Sequence, residues 1–226
     1  MTAVIGHRGA PQRARENTLE SFRAAVGVGV AGIELDARRT VDEVLVVHHD
    51  ARLADGRAIV GCTHAELPGY IPSLAAALDA CAGAFVNIEI KNQPGEPDFD
   101  PNDAVVDAVI ALLHERPEPA STWLISSFRW ETVDRCHALD AGIPTAWLTV
   151  NVITDDDIDA VANAGHAALH PWLPTVDQVL IDACHEAGLG VNTWTCNDPE
   201  LAVRLASWGI DGICTDVPDV LVAAFA

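Results

Sequence analysis

The chain of 226 residues reads as an α/β protein of the TIM (β/α)₈ barrel class. Three observations lead there. Eight short β-rich runs alternate with helical patterns, the polar and charged residues gather at the C-terminal ends of those runs, and the length is close to the roughly 250 residues of one such barrel. One domain over residues 1–226 is expected, with its core shared by all eight units.

The first run, Ala3 to Gly6, leads straight into His7-Arg8-Gly9. Asn17-Thr18 supplies the N-cap chemistry for a helix from Leu19 to Val28. The second strand, Gly32 to Asp36, carries Glu34-Leu35-Asp36 at its end. An insertion, approximately residues 37–84, then breaks the rhythm. It holds an extra strand, Val44 to Val47, running into His48-His49-Asp50, then turn signals at Asp55-Gly56 and Leu67-Pro68-Gly69 ahead of a helix from Leu74 to Cys81. Phe85 to Ile90 forms the third barrel strand and leads into Glu89-Ile90-Lys91. The polar segment from Asn92 to Asn102 reads as a second rim loop, before a helix from Asp103 to His114.

The later units repeat more regularly. Strands are expected over Thr122 to Ser126, Thr145 to Thr149, Ala167 to His170, Gly190 to Trp194 and Gly212 to Thr215, each apolar on both sides as a buried parallel strand should be. Helices fall at Glu131 to Leu139, Asp155 to Ala164, Val176 to Ala187, Pro199 to Ser207 and after Pro218. Thr154 with Asp157, and Asn197-Asp198-Pro199, are N-terminal signals. Gly142, Gly165, Gly188 and Gly209 stand where left-handed C-caps are expected.

Composition narrows the function classes. A formal net charge of -20 and a pI near 4.5 oppose nucleic acid and stable membrane association, because the long-range field repels phosphate. A small-molecule substrate is expected instead, and an anionic one needs local cations. The six cysteines are scattered without metal-site spacing and read as free buried thiols. No leader pattern or membrane-length apolar window is seen, so a cytoplasmic location is expected. Composition says nothing about oligomeric state.

Two short motifs are set aside. Gly27-Val28-Gly29-Val30-Ala31-Gly32 has the spacing of a dinucleotide fingerprint, but it closes a helix and opens a strand, the reverse of the order that aims a helix N-terminus at a pyrophosphate. His7-Arg8 stands without the other elements of a kinase.

The strand ends carry the chemistry. Glu34 and Asp36 are two apart on a strand, so their carboxylates leave one face with Cα atoms about 6.6 Å apart. Facing a lumen of low dielectric, they repel and need a cation, and with Glu89 they make an oxygen donor set for a hard divalent ion. The alternative for each acid alone is a solvated strand end. His7 and His49 beside them suit general acid and base work, since imidazole titrates near 6.5. Arg8 and Lys91 bring the positive charge that a phosphodiester needs; the alternative for Arg8 is an ion pair with Glu34. Trp194 suits an apolar substrate wall or, equally, an aromatic plug. His170 either lines the pocket or, the preferred reading, is a satisfied rim histidine.

In this order the segments resemble the glycerophosphodiester phosphodiesterase family. The resemblance spans essentially the whole chain and rests on His7-Arg8-Gly9, Glu16-Asn17-Thr18, Glu34-Leu35-Asp36, His49-Asp50, Ile71-Pro72-Ser73-Leu74, Glu89-Ile90-Lys91, Trp194-Thr195-Cys196-Asn197 and Gly212 to Pro218. It implies a TIM barrel, a divalent metal ion (Ca²⁺ or Mg²⁺) at Glu34, Asp36 and Glu89, and His7 with His49 as the acid and base pair. The implied reaction is hydrolysis of glycerophosphodiesters to sn-glycerol 3-phosphate and an alcohol through a cyclic phosphate, a step of glycerol and lipid metabolism. The family histidine directly precedes Asp, which selects His49 over His48. Asp42-Glu43 departs from the usual Asp-Gly turn, and the short insertion argues against a large lid. Two other readings stay open: a phospholipase D-like or lysophospholipid-cleaving relative using the same site, signalled by Trp172-Leu173-Pro174, and a non-catalytic phosphodiester-binding barrel.

Overall fold

A computed structural model describes residues 1–226. In chain order the elements are β1 (Ala3–His7), α1 (Leu19–Val28), β2 (Gly32–Arg39), β3 (Leu45–Val47), α2 (Leu74–Ala80), β4 (Phe85–Ile90), α3 (Ala104–His114), β5 (Trp123–Ser127), α4 (Trp130–Leu139), β6 (Thr145–Thr149), α5 (Asp155–Asn163), β7 (Ala168–Pro171), α6 (Gln178–Glu186), β8 (Gly190–Thr193), α7 (Pro199–Ser207), β9 (Gly212–Thr215) and α8 (Pro218–Ala224). Eight strands pair in parallel in the order β1-β9-β8-β7-β6-β5-β4-β2, and β2 returns to β1 to close the barrel. The remaining strand, β3, lies antiparallel on the far end of β2, with Arg38 opposite Val46.

β2 and β4 depart from the doubly apolar pattern of a buried parallel strand. In β2, Ile33, Leu35 and Ala37 join the hydrophobic core with Phe22 and Ala25 of α1. Glu34, Asp36 and Arg38 alternate with them and are just as buried. β4 repeats the arrangement, with Val86, Ile88 and Ile90 in the core and Asn87 and Glu89 lining a cavity in the lumen. Alternation appears because side chains have a period of two along a strand and this lumen holds polar groups, whereas the outer face meets helices.

Local signals set most boundaries. Thr18 accepts from the Ser21 N–H at the start of α1, Thr154 and Asp157 form a capping box on α5, and Asp198 caps α7. Gly165, Gly188 and Gly209 adopt positive φ as expected, but Gly142 does not. After α4 the chain leaves the helix through an extended Asp140, whose side chain accepts from the Gly142 N–H. The glycine-rich run after α1 has a structural use: Gly29 is a left-handed cap at φ 83°, and a Cβ on Gly32 would lie 2.3 Å from the Phe85 ring. The insertion is stabilised by its own small core of Val46, Leu53, Ile59, Cys62, Leu67 and Ile71. It also contains 3-10 turns at Ile59–Gly61 and His64–Glu66, where no element is expected from sequence. No helix is long and apolar enough to cross a membrane, and all six cysteines are free and buried.

Candidate active site

The C-terminal ends of β1, β2 and β4 bring His7, Arg8, Glu34, Asp36, Glu89 and Lys91 together. In-register pairing does this directly, because His7 lies beside Glu34, and Asp36 beside Glu89. Immediately after β1 the backbone turns sharply, with Arg8 at φ 56° and Gly9 at φ 94°. A non-glycine residue in this region costs about 1–3 kcal/mol and is retained where neighbours hold it. Here the turn aims the Arg8 N–H at Glu34 Oε2 (3.0 Å), while the Arg8 carbonyl accepts from Ser21 Oγ (2.9 Å) and the Asn17 N–H (3.1 Å). Position 9 must be glycine, since a Cβ would lie 2.4 Å from Ser21 Oγ.

The three carboxylates are all buried, and one oxygen from each lies within 4.8 Å of the others. Their environments separate their protonation. Burial alone would raise Asp36, but Lys91 and Arg8 outweigh it and hold the pKa well below the usual carboxylate range. Lys91 Nζ stands 2.9 Å from Asp36 Oδ1, Arg8 Nε is 3.4 Å from Oδ2, and Asn17 Nδ2 donates to Oδ2 at 2.7 Å. Glu34 goes the other way: burial, then repulsion from Asp36, pushes it up to about 8. Burial also raises Glu89, against the pull of the Lys91 ammonium that bonds to it. Glu34 Oε1 is buried without a hydrogen-bond partner. A clustered, all-oxygen donor set with an unpartnered buried oxygen fits a divalent metal ion, which replaces a proton and relieves the repulsion.

His7 is held from behind. Its Nδ1–H donates to Asp216 Oδ1 at 2.6 Å, leaving Nε2 toward Glu34 Oε2 at 4.0 Å and the cavity. Burial disfavours the imidazolium, but the hydrogen bond to Asp216 opposes it, and the His7 pKa is raised above its ordinary value. Asn197 fixes Asp216 in turn, donating through Nδ2 to Oδ2 (2.8 Å) and accepting from the Asp216 N–H (2.8 Å).

A cavity of about 270 Å³ opens over this cluster, and both His7 and His49 line it. His49 Nδ1 pairs with Asp50 Oδ1 at 2.7 Å, whereas His48 bonds to the Asp50 carbonyl and faces a separate surface depression. On the cavity wall, Phe128 and Trp194 meet edge to face at 5.4 Å between ring centres. The Trp194 indole N–H donates to the His170 carbonyl, so its ring lines the cavity without a free donor. Lys91 also lines the cavity, with its ammonium paired to Asp36 and Glu89. Arg8 pairs through Nη1 with Glu16 and through Nε with Asp36, and Glu34 receives its backbone N–H instead of its guanidinium.

His170 is a correction. It lies buried in the lumen instead of at the rim, and burial drives its pKa down to about 3, so the ring is neutral and Nε2 accepts from Asn192 Nδ2 at 2.9 Å. Asp216, Asn17 and Phe128 are the site residues to which sequence reasoning gives too little weight. Asp216 and Phe128 are signalled only by position, as a polar or aromatic residue just beyond a strand end, and Asn17 by its place ahead of α1.

A closed parallel barrel with acids, imidazoles and cations at its C-terminal face defines a phosphoric diester hydrolase site. The profile of the glycerophosphoryl diester phosphodiesterase family matches residues 7–220, and the chain belongs to that family, an enzyme of the glycerophosphodiester phosphodiesterase class. It is 27% identical to the glycerophosphodiester phosphodiesterase of Caldanaerobacter subterraneus, with 98% of this chain and 96% of that one covered. The solved structure of an Oleispira antarctica phosphodiesterase in complex with the product sn-glycerol-3-phosphate superposes with a TM-score of 0.89 at 25% identity, covering 100% of this chain and 97% of the other. The rat lysophospholipase D GDPD1 is 25% identical, with 96% and 84% covered.

Proposed function

We propose that the protein hydrolyses glycerophosphodiesters to sn-glycerol 3-phosphate and an alcohol through a cyclic phosphate, with a divalent metal ion held by Glu34, Asp36 and Glu89. The observation that carries this reading is that two imidazoles, His7 and His49, open onto one cavity around three buried carboxylates. A bound divalent ion supplies charge stabilisation for the phosphoryl oxygens and lowers the pKa of a coordinated hydroxyl. The chain's own groups do the rest. One imidazole takes the proton of the substrate's glycerol hydroxyl as its oxygen attacks phosphorus, and the other protonates the departing alkoxide, leaving a five-membered cyclic phosphate. Water then opens the ring with the two proton roles exchanged. Asp216 keeps His7 in the tautomer with Nε2 toward the cavity, Arg8 adds positive charge beside the phosphate, and Phe128 and Trp194 wall the cavity.

The test is a substrate lacking the attacking hydroxyl. Glycerophosphocholine should give sn-glycerol 3-phosphate and choline with a transient cyclic phosphate visible by phosphorus NMR, and its analogue without the 2-hydroxyl should be inert. Equal turnover of both would establish direct attack by water and end the cyclic route. A cytoplasmic site of action accords with the six unpaired thiols.

A second reading, cleavage of lysophospholipids at the same site, is favoured by one feature. Val150, Val152 and Trp172 stand exposed on the loops after β6 and β7, at the same end of the barrel as the cavity mouth. Lysophosphatidylcholine should be cut more slowly than glycerophosphocholine if these residues are incidental. A higher kcat/KM on the lysolipid would make it the substrate class.

A further inference from the structure

Two residues past the carboxylate cluster, β2 carries a charged side chain in the protein interior. Arg38 is 1% exposed. Its Nε and Nη2 both donate to the backbone carbonyl of His49, at 3.0 and 2.6 Å. Nη1 donates to Glu96 Oε2 at 2.9 Å and Asp98 Oδ2 at 2.6 Å, both in the rim loop after β4. Asp98 is itself almost fully buried. Burying a guanidinium and a carboxylate costs several kcal/mol per ion before their attraction is counted, so such a pair is a poor source of stability and is better understood by what it orients.

What it orients is the residue that most lacks support. His49 follows the end of β3, its ring is 39% exposed, and its Nδ1 partner Asp50 is more exposed still. By contrast His7 is fixed by Asp216 and Asn197. A planar fork with two donors on one carbonyl restrains both the position and the direction of that peptide, as a single ammonium cannot.

We infer that Arg38 is the positioning residue for His49, and that Glu96 and Asp98 set the guanidinium so that the rim loop and His49 are held as one unit. The inference rests on the proposed role of His49. Arg38→Lys keeps the positive charge for Asp98 while losing the two-donor grip. It should lower kcat on glycerophosphocholine by about 10- to 100-fold, the scale of a misplaced catalytic group, with KM unchanged. In a His49→Ala background the same change should lower the residual rate no further, since the group it positions is gone. Asp98→Asn should lower kcat less, again at constant KM, and carries the test if Arg38→Lys does not fold.

Full kcat in the variants that fold, or an equal drop with and without His49, overturns the positioning role while the function stands. Unimpaired turnover by His49→Ala overturns both the role of His49 and the inference built on it.

Discussion

Replacing His7 by alanine should cut kcat on glycerophosphocholine by about 10²- to 10⁴-fold, the usual worth of a general acid or base, and replacing His49 should do the same. Neither change removes a structural support. Without His7, Asp216 keeps its bonds to Asn197, and the His49 side chain is partly exposed. Circular dichroism and Tm should therefore match the parent. Removing both imidazoles should cost little more than the worse single change, because the two act in one proton cycle. Steady-state kinetics with purified variants is the check, and near wild-type turnover in both single variants would sink the assignment.

Chelation of divalent metal should abolish turnover, by about 10³-fold or more, and re-addition should restore it. Full activity in a demonstrably metal-free sample would count against the carboxylate cluster. The cluster also makes a prediction that needs no assay of activity. Folded, metal-free protein keeps a proton on Glu34 up to about pH 8, whereas an unfolded glutamate loses it near 4.5. The folded state thus binds the extra proton across that interval, and stability falls as pH rises through it. Between pH 6.5 and 8 the sign is unopposed. His170 and His166, whose pKa values are lowered by burial, act in the other direction only below 6.5, Asp36 acts only below 3.8, and the raised His7 adds to the fall. Metal-free Tm should drop from pH 6.5 to 8, and added Mg²⁺ or Ca²⁺ should stabilise more at pH 8, where less proton must be displaced. A flat Tm with the same cation increment at both pH values would contradict the Glu34 assignment.

The chemistry at the strand ends was legible because it is local. Glu34 and Asp36 share a face by the period of the strand, Glu89 and Lys91 repeat the pattern, and the end of a barrel strand is where function sits. Capping was legible for the same reason at Thr18, Thr154 and Asp198. The misjudged elements depend on what a residue meets across space. β2 runs on to Arg39 instead of stopping at Asp36 because β3 folds back on it and supplies bonds to its far end. Gly142 is spared a left-handed φ because Asp140 leaves the helix in an extended conformation.

By itself the amino-acid order determined the class of fold, the succession of β and α units, and the set of acids, imidazoles and cations at one rim. These follow from backbone periodicity and from short-range capping, which act over a few residues. Only the tertiary structure decided how those groups divide their work. Asp216 reaches His7 from the opposite end of the chain, Asn17 reaches Asp36 from the loop before α1, and Arg38 joins His49 to a loop 58 to 60 residues further on. It also set Lys91 against two carboxylates, put the Trp194 ring on the cavity, and left His170 neutral in the lumen. Burial and charge proximity set those roles, and both arise only when the barrel closes and removes water from between residues distant in sequence.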